Sequence, residues 1–299
     1  MDHKKLCRVL LVGIVFVPAC AIGSGEKGQE ESRAGGRTFP RKAKVIKIET
    51  LNHNIKRFRL APENGESFVF TPGQHVFVKV PDEYLADFNK RYKTTHEDIY
   101  RPYSFASSPS ERSHFDLIIK HYGTRPGEDF PPGVVSTYLH KHLEVGDTLT
   151  LSDPNGELYA KDDSDRPIVI LAGGVGVSPF VCLLQYWFES KVNERRKIYF
   201  FLGVRSKKDL VLHDQFTRWS KEKKNFVYVP ALSRPADGTD WKGETGYINK
   251  VFESHFKESV DADAYIAGSP IMTREAIKSL ESKGVDEERI HRDPIRVKD

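Results

Sequence analysis

Ile168-Val-Ile-Leu-Ala-Gly-Gly-Val-Gly-Val-Ser-Pro-Phe180 is the stretch that sets the fold. Its first five residues are an unbroken apolar run, the pattern of a strand buried on both faces. Three glycines follow, which let the backbone turn tightly and let another group approach closely. Pro179 suits the first turn of a helix, where its missing N–H would have no intrahelical partner in any case. Strand, glycine turn and helix in this order make half of a βαβ unit. The turn has two readings. It is either a packing turn or a cradle for a pyrophosphate, because a helix N-terminus offers free N–H groups and partial positive charge. No Lys-Ser/Thr pair follows, which excludes the phosphate loop of ATP- and GTP-hydrolysing proteins.

Downstream, the same texture repeats. Lys197-Ile-Tyr-Phe-Phe-Leu202, Asn225-Phe-Val-Tyr-Val229 and Ala264-Tyr-Ile-Ala267 read as buried strands. Helices are expected over 179–190, 212–221, 250–256 and 272–283. Alternating strands and helices predict a doubly wound parallel sheet, an α/β module spanning 165–299. Upstream, the pattern is period two. Val45–Leu51, Lys56–Leu60, Ser67–Phe70, His75–Val80, Phe115–Tyr122 and Thr148–Leu151 alternate or run apolar between Gly/Pro/Asn/Asp clusters. They predict an antiparallel β-barrel over 41–158. One helix interrupts it, Ser136-Thr-Tyr-Leu-His-Lys-His-Leu143, with Ser136 as its N-cap.

Composition excludes other classes. The chain has 299 residues, enough for two domains. Its 38% hydrophobic and 29% charged residues are those of a globular protein. A net charge of +4 is too small for a nucleic-acid binder. Three cysteines supply neither a disulfide framework nor a four-cysteine metal site. His140 and His142 stand two apart on a helix and point to different faces, so no metal site is expected. Residues 1–22 carry Lys4, Lys5 and Arg8 before an apolar run over 10–22, shorter than the roughly 20 residues that span a bilayer. This reads as a signal, a lipidated segment or a short anchor. Residues 23–40, rich in Gly, Ser and Glu, read as a flexible linker.

Four further sites carry chemistry. Arg101-Pro-Tyr-Ser104 combines a phosphate partner, a ring that can lie against a heteroaromatic system and a hydroxyl for a ring nitrogen. Gly133-Val-Val-Ser-Thr137 opens the helix of the barrel module as a second anion site. Gly203-Val-Arg-Ser-Lys-Lys-Asp-Leu210 follows the second α/β strand. Ala267-Gly-Ser-Pro-Ile-Met272 is again strand, turn and helix. With the glycine turn, these five motifs resemble, in order and over residues 42–290, the ferredoxin–NADP reductase superfamily.

The resemblance implies a barrel that binds FAD or FMN, of which FAD is the expectation, and an α/β module that binds NAD(P)H. By position, Arg101 would contact the flavin pyrophosphate, Tyr103 would stack on the flavin ring and Ser104 would bond near its reacting nitrogen, making Tyr103 and Ser104 the catalytic pair. Pro102 completes that strand motif, and the backbone of Ile118, Ile119 and Lys120 would run along the ring. Gly133, Val135, Ser136 and Thr137 would hold the flavin phosphates. Gly173, Gly174, Gly176, Ser178 and Pro179 would cradle the nicotinamide nucleotide, with Gly268, Pro270 and Met272 beside the nicotinamide. Arg205, Ser206 and Arg234, with Lys207 and Lys208, give a slight lean towards NADPH, which Asp209 weakens.

Three departures qualify the resemblance. Ala267 stands where many members have Cys. The stretch after His291 carries no aromatic residue to shield the flavin. Too few cysteines are present for an internal iron–sulfur centre. Electrons are therefore expected to leave to a small separate redox protein, a ferredoxin, flavodoxin or cytochrome, steered by Lys42, Lys44, Lys47, Arg57 and Arg59. The alternatives are a reductase for a haem or oxygenase partner, and a non-catalytic flavin-binding subunit. Because NAD(P)H is cytoplasmic, an N-terminal tether with the enzyme facing the cytoplasm is preferred to export.

Overall fold

Ile168–Gly173 forms a strand, β9, whose apolar residues are all buried. The computed structural model describes residues 33–34, 37–124, 127, 130–190, 195–236 and 240–292. All of them lie in one compact unit, Ser32–Asp299. The signal or anchor expected over 1–22 lies outside the described residues, among which no helix is long and apolar enough to cross a membrane.

A hairpin of β1 (Arg33–Ala34) and β2 (Arg37–Thr38) precedes six antiparallel strands. These are β3 (Arg41–Asn52), β4 (Ile55–Pro62), β5 (His75–Lys79), β6 (Tyr100–Ser104), β7 (Phe115–Lys120) and β8 (Thr148–Leu151). Their order is β6-β5-β8-β3-β4-β7. The two ends meet at an antiparallel bridge between Phe105 and Leu117, where the Ala106 N–H donates to the Asp116 carbonyl at 2.8 Å, so the sheet closes on itself. Alternate residues fill the interior, Ala43 and Val45, Phe58 and Leu60, Val76 and Val78, as the period-two reading requires.

Four local expectations are corrected. Ser67–Phe70 is not a strand: Phe68 and Phe70 are buried and Val69 is exposed, so the alternation is real, but the segment joins no ladder. The barrel holds two helices rather than one. The missed helix, α1 (Asp82–Tyr92), buries Leu85 and Phe88 and places Asp82 and Glu83 in its first turn and Lys90 and Arg91 in its last, a charge order that suits the helix dipole. Ser136 is not an N-cap. In α2 (Val134–Lys141) the cap position is Gly133, and Ser136 lies inside the first turn. The linker drawn over 23–40 overlaps a docked segment, because Phe39 is buried and the Arg37 guanidinium lies 3.7 Å above the Phe77 ring.

The second sheet has β9 beside β10 (Ile198–Val204), β11 (Phe226–Leu232), β12 (Glu244–Thr245), β13 (Asp263–Ala267) and β14 (Ile290–Arg292). The order is β12-β11-β10-β9-β13-β14 and each pairing is parallel. Helices α3 (Ser178–Glu189) and α4 (His213–Glu222) cover one face, over Ile168, Ile170, Phe200 and Leu202. Helices α5 (Ile248–His255) and α6 (Pro270–Ser282) cover the other, over Val169, Leu171 and Phe201. The sheet is doubly wound, as expected. Strand order runs outward in both directions from β9, so the topological switch point lies between β9 and β13. In open α/β sheets that is where ligands bind, beyond the carboxyl ends of the strands.

The two sheets share a seam. Ile55, Ala106 and Ile118 of the barrel pack in the same apolar cluster as Phe180 and Val181 of α3. Cys182, on α3, is buried in the barrel's cluster, and burial pushes its thiol up to about 12. It is therefore a small core residue rather than a nucleophile. Buried Arg196 pairs with Asp263 and donates to the carbonyls of Arg166 and Lys161, which ties the connecting segment to the base of the sheet.

Candidate functional site

At the carboxyl end of β9 the chain passes through a short 3-10 turn, Gly174–Val177, into α3. The glycines there do different work. Gly174 has φ +56°, which favours glycine, and a Cβ there would meet nothing within 4 Å. Gly176 is a packing glycine, since a Cβ would lie 2.3 Å from the Ala267 carbonyl oxygen. Gly173 faces Gly268 of the next turn, and Met272 Sδ would lie 2.5 Å from a Cβ on Gly268. Pro270 starts α6, and Ser269 caps it by accepting from the Met272 N–H at 3.4 Å. Gly173, Gly268 and Met272 therefore come together at the switch point, while Gly174 lines open space.

The seam brings this turn to β6. Ser178 Oγ donates to the Ser104 carbonyl at 3.3 Å, and both serines are buried. On β6, Tyr103 pairs with Val76 and Ser104 with His75, which fixes the register. Arg101 is exposed, donates to the Tyr100 carbonyl at 2.8 Å and has no ion pair among the described residues. Burial raises the Tyr103 phenol, opposed by the Arg101 charge, and Tyr122 is close enough to add to the rise. Ile118 and Ile119 are buried on β7, Lys120 is partly exposed, and Tyr122 just beyond is 57% exposed.

The start of α2 is stitched to the end of β7. The Gly133 N–H donates to the Tyr122 carbonyl at 2.7 Å, and the Tyr122 N–H donates to Ser136 Oγ at 3.2 Å. Ser136 Oγ in turn donates to the Gly133 carbonyl at 3.1 Å. Its hydroxyl is thus committed to holding the turn. Among the described residues no side chain caps the helix, whose first turn holds buried Val135. Thr137 Oγ1 lies 3.3 Å from His121 Nε2. His121 stacks on His140, whose Nε2 donates to the Ile119 carbonyl at 2.9 Å. Burial lowers both histidines, His140 to about 4.

At the far edge of the parallel sheet, Arg205, Ser206 and Arg234 do gather, with the Arg234 N–H donating to the Arg205 carbonyl at 2.8 Å. The cationic character expected there is cut down. Lys207 pairs with Asp240 at 2.7 Å. Asp209 takes the Ser206 N–H at 3.0 Å and its hydroxyl at 2.6 Å, which places a carboxylate in the loop. The lean towards NADPH finds no support in this arrangement. Sequence reading passed over Tyr247, 65% exposed just beyond β12 at the same carboxyl edge. Its signal, an aromatic after Gly246, becomes informative only once strand order is known. Of the five barrel cations, Lys47 and Arg57 lie 4.0 and 3.6 Å from Glu49 and Arg59 lies 2.8 Å from Asp116, while Lys42 and Lys44 are exposed.

An antiparallel barrel whose exposed arginine strand meets the glycine turn of a doubly wound sheet defines a class, the two-module flavin and pyridine-nucleotide oxidoreductases. Residues 42–159 match the oxidoreductase FAD-binding domain family, and residues 170–278 match the oxidoreductase NAD-binding domain family. The chain belongs to the flavoprotein oxidoreductases that are built from these two domains in this order. It is 34% identical over 261 residues to one component of the Na(+)-translocating NADH-quinone reductase of Neisseria meningitidis. That match covers 79% of this chain and 63% of the relative, so the chain spans less than two thirds of the relative's length. The FAD/NAD-binding domain of nitric oxide dioxygenase from Vibrio cholerae superposes with a TM-score of 0.69 at 23% identity, covering 84% of this chain and 97% of that one. A ferredoxin NADP+ reductase from Neisseria gonorrhoeae gives 0.65 at 18% identity, covering 84% and 96%.

Proposed function

We propose that the chain is an NADH-dependent flavin reductase that delivers electrons to a separate protein acceptor, as the NADH-oxidising component of a quinone reductase-type assembly. The observation that carries this reading is the Ser178 to Ser104 contact, which joins the nucleotide turn to the Arg-Pro-Tyr-Ser strand in one water-poor seam. The donor set fits FAD. A solvent-facing guanidinium at Arg101 and the uncapped start of α2 present positive charge to a diphosphate, and the Tyr103 ring borders the same strand. Bound FAD supplies the redox chemistry, exchanging a hydride with the nicotinamide and single electrons with the acceptor. The chain's residues do the positioning. Ser104 and Ser178 keep the strand and the turn in register, and Gly173, Gly268 and Met272 shape the floor against which a nicotinamide ring is held.

Asp209 favours NADH. Its carboxylate stands in the loop where a 2′-phosphate would add further negative charge, and repulsion there disfavours NADPH. Arg234 and Tyr247 border the same edge and suit an adenosine. The relatives' NADH-quinone reductase name supports the donor. The apolar run over 10–22 would tether the enzyme on the side of the membrane that holds NADH.

The test is an anaerobic absorbance titration of the full chain loaded with FAD. NADH is expected to bleach the flavin bands at much lower concentration than NADPH. Bands that neither nucleotide bleaches would refute the reductase reading, and equal bleaching by both would refute the role given to Asp209.

A further inference from the structure

The turn Asn52-His53-Asn54 joins β3 to β4, yet its side chains reach across the seam to the loop that carries Asp209. Asn52 Nδ2 donates to the carbonyls of Asp209 and Leu210, both at 3.3 Å. Asn52 Oδ1 accepts from the Asn54 N–H at 3.1 Å, so the amide is oriented from both ends. His53 Nδ1 lies 3.1 Å from the Lys208 carbonyl, which only accepts, so Nδ1 carries a proton and Nε2 is left facing Asp209 Oδ1 at 3.6 Å. Leu51 and Leu210 pack against the same apolar cluster beneath these contacts. Three consecutive carbonyls of the nucleotide loop, 208 to 210, are therefore held by two barrel side chains.

We propose that Asn52 and His53 are positioning residues for nucleotide selection, holding the Asp209 loop from the other module in the conformation that excludes a 2′-phosphate. The inference rests on the reading of Asp209 given above. Within its own loop, the Asp209 carboxylate is fixed only to Ser206, one end of a turn of three residues, Lys207–Asp209. The turn also closes on itself, the Asp209 N–H donating to the Ser206 carbonyl at 3.0 Å and the Leu210 N–H to the Lys207 carbonyl at 3.2 Å, so it would move as one unit once the carbonyls of 208 to 210 are released. Rotation would carry Asp209 away from the ribose and free Lys207 and Lys208 to face a phosphate. Discrimination between the two nucleotides then depends on the docking of two modules, not on the nucleotide-binding sheet alone. The same turn continues towards the flavin side, since the Asn54 carbonyl accepts from the His121 N–H at 2.8 Å.

The test is calorimetric binding of NAD+ and NADP+ to the full chain, in which no turnover occurs. Asn52→Ala with His53→Ala is expected to raise NADP+ affinity relative to NAD+ by about three- to tenfold, the scale of one or two lost polar contacts. His53→Gln keeps a donor for the Lys208 carbonyl and is expected to restore most of the discrimination. Asp209→Ser is the control and should shift the ratio by about tenfold or more. A shift with Asp209→Ser but none with the double variant overturns the positioning role and leaves the reading of Asp209 standing. No shift with Asp209→Ser overturns both. Equal loss of both nucleotides in the double variant, or failure of His53→Gln to recover the ratio, shows a merely structural turn and also overturns it.

Discussion

Gly176→Ala is the sharpest probe of the glycine turn. The added methyl would stand 2.3 Å from the Ala267 carbonyl oxygen, 2.6 Å from its carbon and 2.9 Å from the Gly268 nitrogen. All three are backbone atoms, so no side chain can swing aside, and the turn after β9 must part from the turn after β13. Overpacking of this kind costs about 1–3 kcal/mol, and backbone on the receiving side argues for the upper end. A domain pair of this size loses about 2–4 °C in Tm per kcal/mol, which gives a fall of roughly 6–12 °C. The displacement also opens the approach of Gly173 to Gly268, so NADH affinity should drop while FAD remains bound on the barrel. Two controls separate packing from conformation. Gly174→Ala meets open space but has φ +56°, a strain of about 1–2 kcal/mol. Gly173→Ala meets the flexible end of Met272 at 3.2 Å and should be mildest. Thermal melts and anaerobic NADH titrations of the three variants give the order. A Gly176→Ala protein as stable as the parent, with Gly174→Ala the more damaged, would refute the packing role.

Ser136→Ala removes the acceptor of the Tyr122 N–H and the donor to the Gly133 carbonyl, which loosens the start of α2. FAD affinity should fall by about tenfold, in line with an orphaned backbone donor, and Ser136→Thr should retain most of it; fluorescence titration of the apoprotein with FAD measures both. Burial holds His75 and His140 at about 4, well below an ordinary histidine near 6.5. Between those values the unfolded chain binds protons that the folded chain refuses, so stability is full above about pH 6.5 and declines as pH falls towards 4. Each histidine can contribute up to about 3 kcal/mol to that loss. Urea midpoints measured from pH 7 down to 4.5 should fall, and His140→Gln should flatten the slope.

What the sequence disclosed follows from how local each signal is. The β9 turn was legible because glycine and proline chemistry acts on the residues that carry it, and the parallel strands were legible as apolar runs. Helix α1 was legible but passed over. Its apolar positions Tyr84, Leu85, Phe88 and Tyr92 follow helical spacing, but Asp82–Tyr92 is polar enough overall to look like a loop. Ser67–Phe70 shows the converse, because alternation reports which side chains face a core and not whether the backbone finds a partner strand. Ser136 reads in sequence as a local cap, whereas its hydroxyl bonds the Gly133 carbonyl and also accepts from the Tyr122 N–H, 14 residues earlier, which becomes a neighbour only in the folded barrel. The NADPH lean finds no support for the same reason. Lysines and arginines can be counted in a sequence, but the pairing of Lys207 with Asp240, 33 residues on, cannot.

The site exists only because the modules dock, and the packing explains why they dock in one way. Ile55, Ala106 and Ile118 present an apolar strip on the outside of the barrel, where an antiparallel strand would ordinarily show polar residues to solvent. Helix α3 covers that strip with Phe180 and Val181, and its first residue, Ser178, lands on the Ser104 carbonyl. One helix therefore does two things: its N-terminus closes the glycine turn, and its flank fixes strand β6. A slide of the modules would uncover the strip and break the serine contact together. The spacing between the glycine turn and strand β6 is thus set by the fold itself, which is the preorganisation that the proposed transfer between two stacked rings demands.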